Sequence, residues 1–192
     1  IEPFKKKYPD RIFNAGVSEQ NMMGMAAGIA SEKCNVFVYS IANFSTFRCA
    51  EQIRNDIDYN KLPVTIVSVG SGLSYGNLGY THHALQDYAL MRSFPNMQIL
   101  SPGNNNELIA LLNYIQKNPQ PSYLRLDKTE HKEIEFKKIP VSSGSIVKLI
   151  DGNKKKILLT TGSIQNLAKN IKLKKYKNHS LYSMPIWGMK AK

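Results

Sequence analysis

Three short stretches carry side chains whose types and spacing are able to do chemistry. The first, NAGVSEQNMMGMAAGIA over 14–30, sets a single carboxylate, Glu19, at the mouth of a helix that is otherwise apolar and small. The second, the turn after CNVFVYSI, contains Phe44 and Arg48, an aromatic with a basic residue. The third is a glycine-rich loop, GSGLSYGNLGYTHH, that ends in Thr81, His82 and His83. Together they offer a carboxylate, an aromatic with a basic residue, and imidazoles, groups able to share or transfer a proton.

Each feature also has a plainer meaning. Ser18 is a good N-cap, and an acid in the first turn meets the positive end of the helix dipole, worth roughly 0.3–1 kcal/mol. Phe44 alone suits a core. Two adjacent histidines lack the spacing of a zinc pair. The loop glycines match neither GxGxxG before a helix nor GxxxxGK[ST], which argues against a nucleotide phosphate loop.

The elements that must position these residues alternate. A helix over Ser18–Lys33 is followed by CNVFVYSI, a buried strand, and by a helix over about Thr46–Tyr59. LPVTIVSVG is a second strand, and the long loop follows it. Then come a helix over about Leu85–Ser93, the strand MQILSP, a helix over Asn105–Gln116 and the strand PSYLRL. Strand and helix in turn predict an α/β fold, a parallel sheet with helices on both faces. Ligands of such sheets lie beyond the carboxyl ends of the strands, where the three stretches converge.

Residues 128–155 are charged, broken by Pro140 and Gly144, and read as a connector with a little strand, GSIVKLI. From 156 to 192, KILLTTG, a helix over Ile164 to about Lys172 and SLYSMPI open a second α/β unit that stops before closing a sheet. The helix from Ser18 carries Gly24 and Gly28 among alanines, a face that lets another backbone approach closely, inside the core or across a subunit boundary. A covered helix carries Glu19 into a covered place, and loss of hydration is expected to raise its proton affinity.

Composition bounds the class. Of 192 residues, 42% are hydrophobic and 21% charged, as in a globular protein, and no run approaches a membrane span. The N-terminus lacks the apolar core of a signal peptide, so the reading is cytoplasmic, with no membrane partner. Cys34 and Cys49 are each expected to be small buried hydrophobes. The net charge of +12 is concentrated C-terminally: residues 127–192 hold 15 Lys+Arg against 5 Asp+Glu. Those lysines, Lys154–Lys156, Lys172, Lys174, Lys175 and Lys177 among them, come without interleaved aromatics and read as solvated surface, with no nucleic-acid partner.

RIFNAGVSEQNMMGMAAGIASE, FSTFRCAEQIRND, LPVTIVSVGSGLSYGNLGYTHHALQDYALMRSFPNMQILSP and PSYLRLDK together resemble the pyrimidine-binding domain of transketolase, a thiamine-diphosphate-binding fold. The likeness runs over about 9–128 and is strongest to the C-terminal subunit of transketolases split into two chains; 156–184 resemble the start of that family's third domain. On this resemblance, residues 1–127 form the pyrimidine domain, apparently without its N-terminal strand, and 156–192 part of the C-terminal domain.

The resemblance implies thiamine diphosphate, with Glu19 at N1′ of its aminopyrimidine, sharing a proton that activates the thiazolium C2. It implies that Phe44 stacks on the pyrimidine with Arg48 beside it, that catalytic His82 lies near the substrate oxygen, and that Lys128 stands where relatives place an arginine for the substrate phosphate. Nothing resembles the GDG…N segment that binds Mg²⁺ and diphosphate. A partner diphosphate-binding N-terminal subunit carrying the Mg²⁺ is therefore implied, in an α2β2 assembly acting on sugars or sugar phosphates. Gly70 stands where full-length relatives carry a substrate histidine, and Leu78 where they carry an aspartate. Alternatives in the same fold are a deoxyxylulose-phosphate synthase-like or 2-oxo acid dehydrogenase β-like chain, and a non-catalytic interaction subunit.

Overall fold

The computed structural model describes residues 1–128, 139–142 and 144–188. A short helix α1 (Glu2–Lys7) leads into α2 (Glu19–Ser31) and the strand β1 (Val36–Ile41). Next come α3 (Ala42–Thr46), a 3-10 turn (Phe47–Cys49), α4 (Ala50–Gln52) and a π-helical turn (Ile53–Asp58). The expected helix from Thr46 therefore begins earlier and is irregular. The Ser45 and Thr46 hydroxyls donate back to the carbonyls of Ile41 and Ala42, at 3.1 and 2.7 Å, and such bonds compete with regular helix geometry.

After β2 (Val64–Val69) and the long loop come α5 (Asp87–Ser93), β3 (Gln98–Leu100), α6 (Asn105–Lys117) and β4 (Ser122–Leu126). The α6 start is capped as its sequence demands: the Asn104 side chain accepts from the Glu107 N–H at 3.0 Å. The α2 start is not. Ser18 stands at the N-cap position, but its hydroxyl donates to the Ala15 carbonyl and makes no cap bond.

β1, β2, β4 and β3 lie side by side in that order, all parallel, with Val36 opposite Val64 and Thr65 opposite Ser122. Alternate residues leave the sheet on opposite faces. On one face Ile66, Ile99 and Tyr123 pack with Met23, Ala26, Ala27 and Ala30 of α2 and with Ile53, Ile57 and Met91. On the other, Leu100 and Leu124 pack with Leu111 and Ile115 of α6. The parallel sheet is thus covered by helices on both sides.

The C-terminal part builds a second sheet from β5 (Val147–Ile150), β6 (Asn153–Thr160) and β7 (His179–Ser183), with α7 (Gln165–Lys174) between β6 and β7. β5 is the little strand GSIVKLI, and it pairs antiparallel with β7. The chain then passes Pro185 and returns to the first sheet, where β8 (Ile186–Gly188) pairs antiparallel with β3. Two of the surface expectations fail. Cys34 is exposed, because it precedes β1 in the turn after α2, while Cys49 is fully buried. Lys172 is 5% exposed, its ammonium turned inward to the Lys177 carbonyl at 2.8 Å.

A polar joint locks the two sheets together. Glu107, at 0% exposure, accepts from the Gly103 N–H at 2.7 Å and from the Gln165 side-chain amide at 2.9 Å, and Asn104 donates to the Gln165 carbonyl oxygen at 2.8 Å. Replacing Gln165 with leucine strands a buried carboxylate oxygen and a buried amide. The expected loss is about 1–3 kcal/mol of unfolding free energy, read by urea denaturation of the full chain.

Candidate functional site

Glu19, Arg48, Phe44, His82 and Lys128 come from five points of the chain, and four different elements deliver them to the carboxyl ends of the parallel strands. Glu19 opens α2, Phe44 and Arg48 follow β1, His82 ends the loop after β2, and Lys128 follows β4. The structure brings all five into one continuous run of contacts. Glu19 Oε2 accepts from Arg48 Nη1 at 2.7 Å. The Arg48 guanidinium carbon lies 4.7 Å from the Phe44 ring centroid. His82 meets that same ring edge-on at 5.2 Å. The Tyr75 ring lies 5.8 Å from His82 and carries the Lys128 ammonium 4.3 Å from its centroid.

The carboxylate is shielded and the cation is not. The Glu19 side chain is 8% exposed and that of Arg48 44%. Glu19 Oε1 also accepts from the Ser40 hydroxyl at 3.1 Å, at the end of β1. Burial is the largest single influence on Glu19 and pushes its pKa up. Its own N–H at the helix start, the Ser40 hydroxyl and the Arg48 guanidinium together outweigh that push, and the carboxyl titrates below the ordinary glutamate value. This corrects the expectation of raised proton affinity: the N–H at the helix start, the Ser40 hydroxyl and the Arg48 guanidinium reverse the sign together. Nearby Cys49 is pushed up to about 12, by burial and then by the negative charge of Glu19, so it stays a neutral thiol.

Arg48→Met tests that balance. Without the guanidinium, burial opposes ionisation with fewer counterweights, and the Glu19 titration midpoint is expected to rise. Carbon-13 NMR of the labelled carboxyl reads the shift, and an unmoved midpoint refutes the ion pair as a cause.

The two histidines have different jobs. His83 Nε2 bonds the Gly76 carbonyl at 2.8 Å and ties the loop to itself. His82 Nδ1 pairs with the Thr81 hydroxyl at 3.0 Å, and the Thr81 carbonyl accepts from the Asn43 amide at 2.5 Å. The loop neck is closed by paired backbone bonds between Gly72 and Ala84, both 3.0 Å. Leu78 sits on its outer 3-10 turn, 51% exposed.

The geometry invites comparison with known proteins. The family model described as "Transketolase, pyrimidine binding domain" matches residues 2–133. The chain belongs to the transketolase pyrimidine-binding domain family. Among curated relatives, it is 38% identical over 154 residues to a subunit of the apulose-4-phosphate transketolase of Actinobacillus succinogenes, covering 80% of this chain and 50% of that protein. It is 35% identical over 166 residues to "1-deoxy-D-xylulose-5-phosphate synthase" of Halothermothrix orenii, covering 83% of this chain and 25% of that protein. Among solved structures, "Split gene transketolase, inactive beta4 tetramer" superposes with a TM-score of 0.80 at 31% identity, over 95% of this chain and 60% of the other. The chain thus spans about half the length of the apulose-4-phosphate transketolase subunit. The transketolase pyrimidine-domain fold is the one the sequence resemblance implies.

Other residues around this run of contacts carry no signal in the sequence. There, Ser40 is one more strand residue and Tyr75 is loop filler, while Asp87 and Arg125 are ordinary members of a helix and a strand. In the fold, Asp87 and Arg125 form a buried ion pair, Arg125 Nε to Asp87 Oδ2 at 2.6 Å, and Arg125 Nη2 also donates to the Ala84 carbonyl at the loop neck, 2.9 Å away.

Proposed function

We propose that this chain is the pyrimidine-binding subunit of a two-chain, thiamine-diphosphate-dependent transketolase, which moves a two-carbon ketol unit from a ketose to an aldose. The observation that carries the reading is the shielded Glu19 carboxylate, linked through the Arg48 guanidinium to the Phe44 ring, with His82 meeting the same ring from the loop after β2. An ionised carboxylate has about four acceptor positions, and Glu19 spends one on Arg48 and one on Ser40. It retains capacity for a ring nitrogen. The residues therefore fit the pyrimidine half of the cofactor.

When bound, thiamine diphosphate supplies a thiazolium carbon that becomes nucleophilic and an electron sink for the transferred fragment. Glu19 holds and exchanges a proton at the pyrimidine N1′. Phe44 offers the ring a stacking face. Arg48 keeps the acid ionised in the free chain and shapes the pocket wall. His82, oriented through Nδ1, presents Nε2 to a substrate oxygen, and Lys128 meets a substrate phosphate.

A second chain supplies the rest. Among the described residues no group of three or more His, Cys, Asp and Glu is placed to hold a metal ion. Mg²⁺ and the diphosphate are assigned to the partner's GDG…N segment, in an α2β2 assembly, in the cytoplasm. The β4 tetramer of the split-gene relative is inactive, which supports dependence on a partner. Gly24 and Gly28 of α2 leave an open face, where a methyl group would meet no atom within 4 Å, and this favours a closely approaching backbone. Among the described residues no helix is long and apolar enough to cross a membrane.

The test is reconstitution. Co-purification with a companion bearing the GDG…N segment, addition of cofactor and Mg²⁺, and an assay of ketol transfer among ketose and aldose phosphates should give turnover that neither chain gives alone. With pyruvate and a triose phosphate supplied in a parallel assay, formation of 1-deoxyxylulose 5-phosphate with release of CO2, in place of ketol transfer, selects the synthase reading, which the relative from Halothermothrix orenii favours. A complex that does neither refutes the catalytic assignment.

A further inference from the structure

Gly70 closes β2 with φ +89°, and a methyl group there would lie 2.0 Å from Tyr75 Cε2 and 2.6 Å from Cδ2. The Tyr75 ring occupies the volume that any side chain at position 70 needs. The exchange is local and mutual: a glycine at one place, a large aromatic folded back over it from five residues further on.

That ring also stands between the two ends of the substrate side. His82 lies on one flank and the Lys128 ammonium rests over the ring. Tyr75 is placed firmly, because the neighbouring Ser74 hydroxyl bonds both the Ser71 carbonyl, at 2.7 Å, and the Asp127 carboxylate. Burial, and then the proximity of Tyr39, push the Tyr75 pKa up, so the ring remains a neutral phenol. An aromatic face attracts an ammonium without neutralising it. Lys128 is therefore oriented yet keeps a full charge for an anion. Arg48, the other cation of the run, is already engaged with Glu19.

We propose that Tyr75 is the positioning residue for phosphorylated sugars: its ring walls the substrate side in place of a side chain at position 70 and holds the Lys128 ammonium at the phosphate end. This rests on the ketol-transfer reading of the same site. It assigns discrimination between a sugar phosphate and the free sugar to a residue that touches neither Glu19 nor the aminopyrimidine.

The experiment uses the two-chain holoenzyme with five- to seven-carbon ketose phosphates and the same ketoses without phosphate. Tyr75→Ala is expected to raise KM for the phosphorylated donors about tenfold more than it raises KM for the free sugars. Tyr75→Phe keeps the ring and should restore the discrimination. Tyr75→Leu keeps apolar bulk without an aromatic face and should not, which covers the case of Tyr75→Ala failing to fold. Lys128→Met should reproduce the loss, and adding it to Tyr75→Ala should cost little more. Gly70→Ala should mimic Tyr75→Ala, because the new methyl expels the ring. An unchanged ratio of KM values in Tyr75→Ala and Tyr75→Leu overturns the proposal, as does an equal loss for both sugar classes. If the wild-type complex transfers ketol from no ketose at all, the functional reading falls instead, so the two failures are told apart.

Discussion

Glu19→Gln in the reconstituted two-chain complex is expected to lower ketol transfer by about 10²–10⁴-fold, the usual share of a positioned proton-transfer group. The amide matches the carboxylate in size, its one oxygen accepts from Arg48, and its NH2 donates to the Ser40 hydroxyl in place of accepting from it, so the start of α2 is expected to stay intact. What it loses is the ability to hold a proton for the pyrimidine N1′. Exchange of the cofactor C2 proton for deuterium should slow with turnover, while circular dichroism of the chain stays as in the wild type. The variant also carries a pH signature. A folded-state pKa below the ordinary glutamate value means that Glu19 stabilises the fold above the ordinary carboxyl range, and that this contribution is lost as pH falls through the depressed value. Glu19→Gln should therefore lose less stability on acidification than the wild type. Unchanged turnover removes Glu19 from the chemistry, whatever its place in the fold.

Much of this site is legible before any coordinates, and the reason is local. Glu19 is conspicuous because one charge opens an apolar helix. Phe44 and Arg48 fall just after a recognisable strand, and the loop holding His82 is too long and glycine-rich for a simple connection. The parallel α/β order then brings the strand ends together. What escapes depends on contacts between distant segments. The depressed pKa of Glu19 draws, beyond its own N–H at the helix start, on Ser40 and Arg48, 21 and 29 residues away, and neither helix periodicity nor the dipole argument contains those partners. Tyr75 has meaning only when Gly70 turns the chain at positive φ and leaves room beneath the ring. β8 escapes because three residues after Pro185 are too few for a period, and its place at the edge of the first sheet is set by β3. Lys172 reads as surface in a lysine-rich tract, although the turn after α7 provides the Lys177 carbonyl that draws its ammonium inward.

Asp87 and Arg125 escape for the same reason, and they yield the largest expected effect on stability. Asp87→Ala is expected to cost about 3–5 kcal/mol, the usual consequence of leaving one member of a buried ion pair without its counterpart. The side chains of Asp87 and Arg125 are 0% and 10% exposed, so water cannot replace what is removed. The Tyr123 hydroxyl, which donates to Asp87 Oδ2 at 2.7 Å, loses that acceptor as well. Burial and then Asp87 hold the Tyr123 pKa well above the ordinary tyrosine value, so the donor proton is present throughout the working range. For a chain of this length each kcal/mol shifts the melting temperature by about 2–4 °C, giving a fall on the order of 10 °C in a thermal scan. Asp87→Asn keeps the shape and one acceptor oxygen and should lose less. Arg125 links this pair to function: its Nη2 bonds the Ala84 carbonyl, two residues beyond His82, and its guanidinium carbon lies 4.1 Å from the Tyr88 ring centroid. Asp87 variants that remain folded should therefore also lose ketol transfer, through a loop neck no longer clamped to β4. A loss below about 1 kcal/mol would place the pair among solvated ion pairs and remove the clamp from the account.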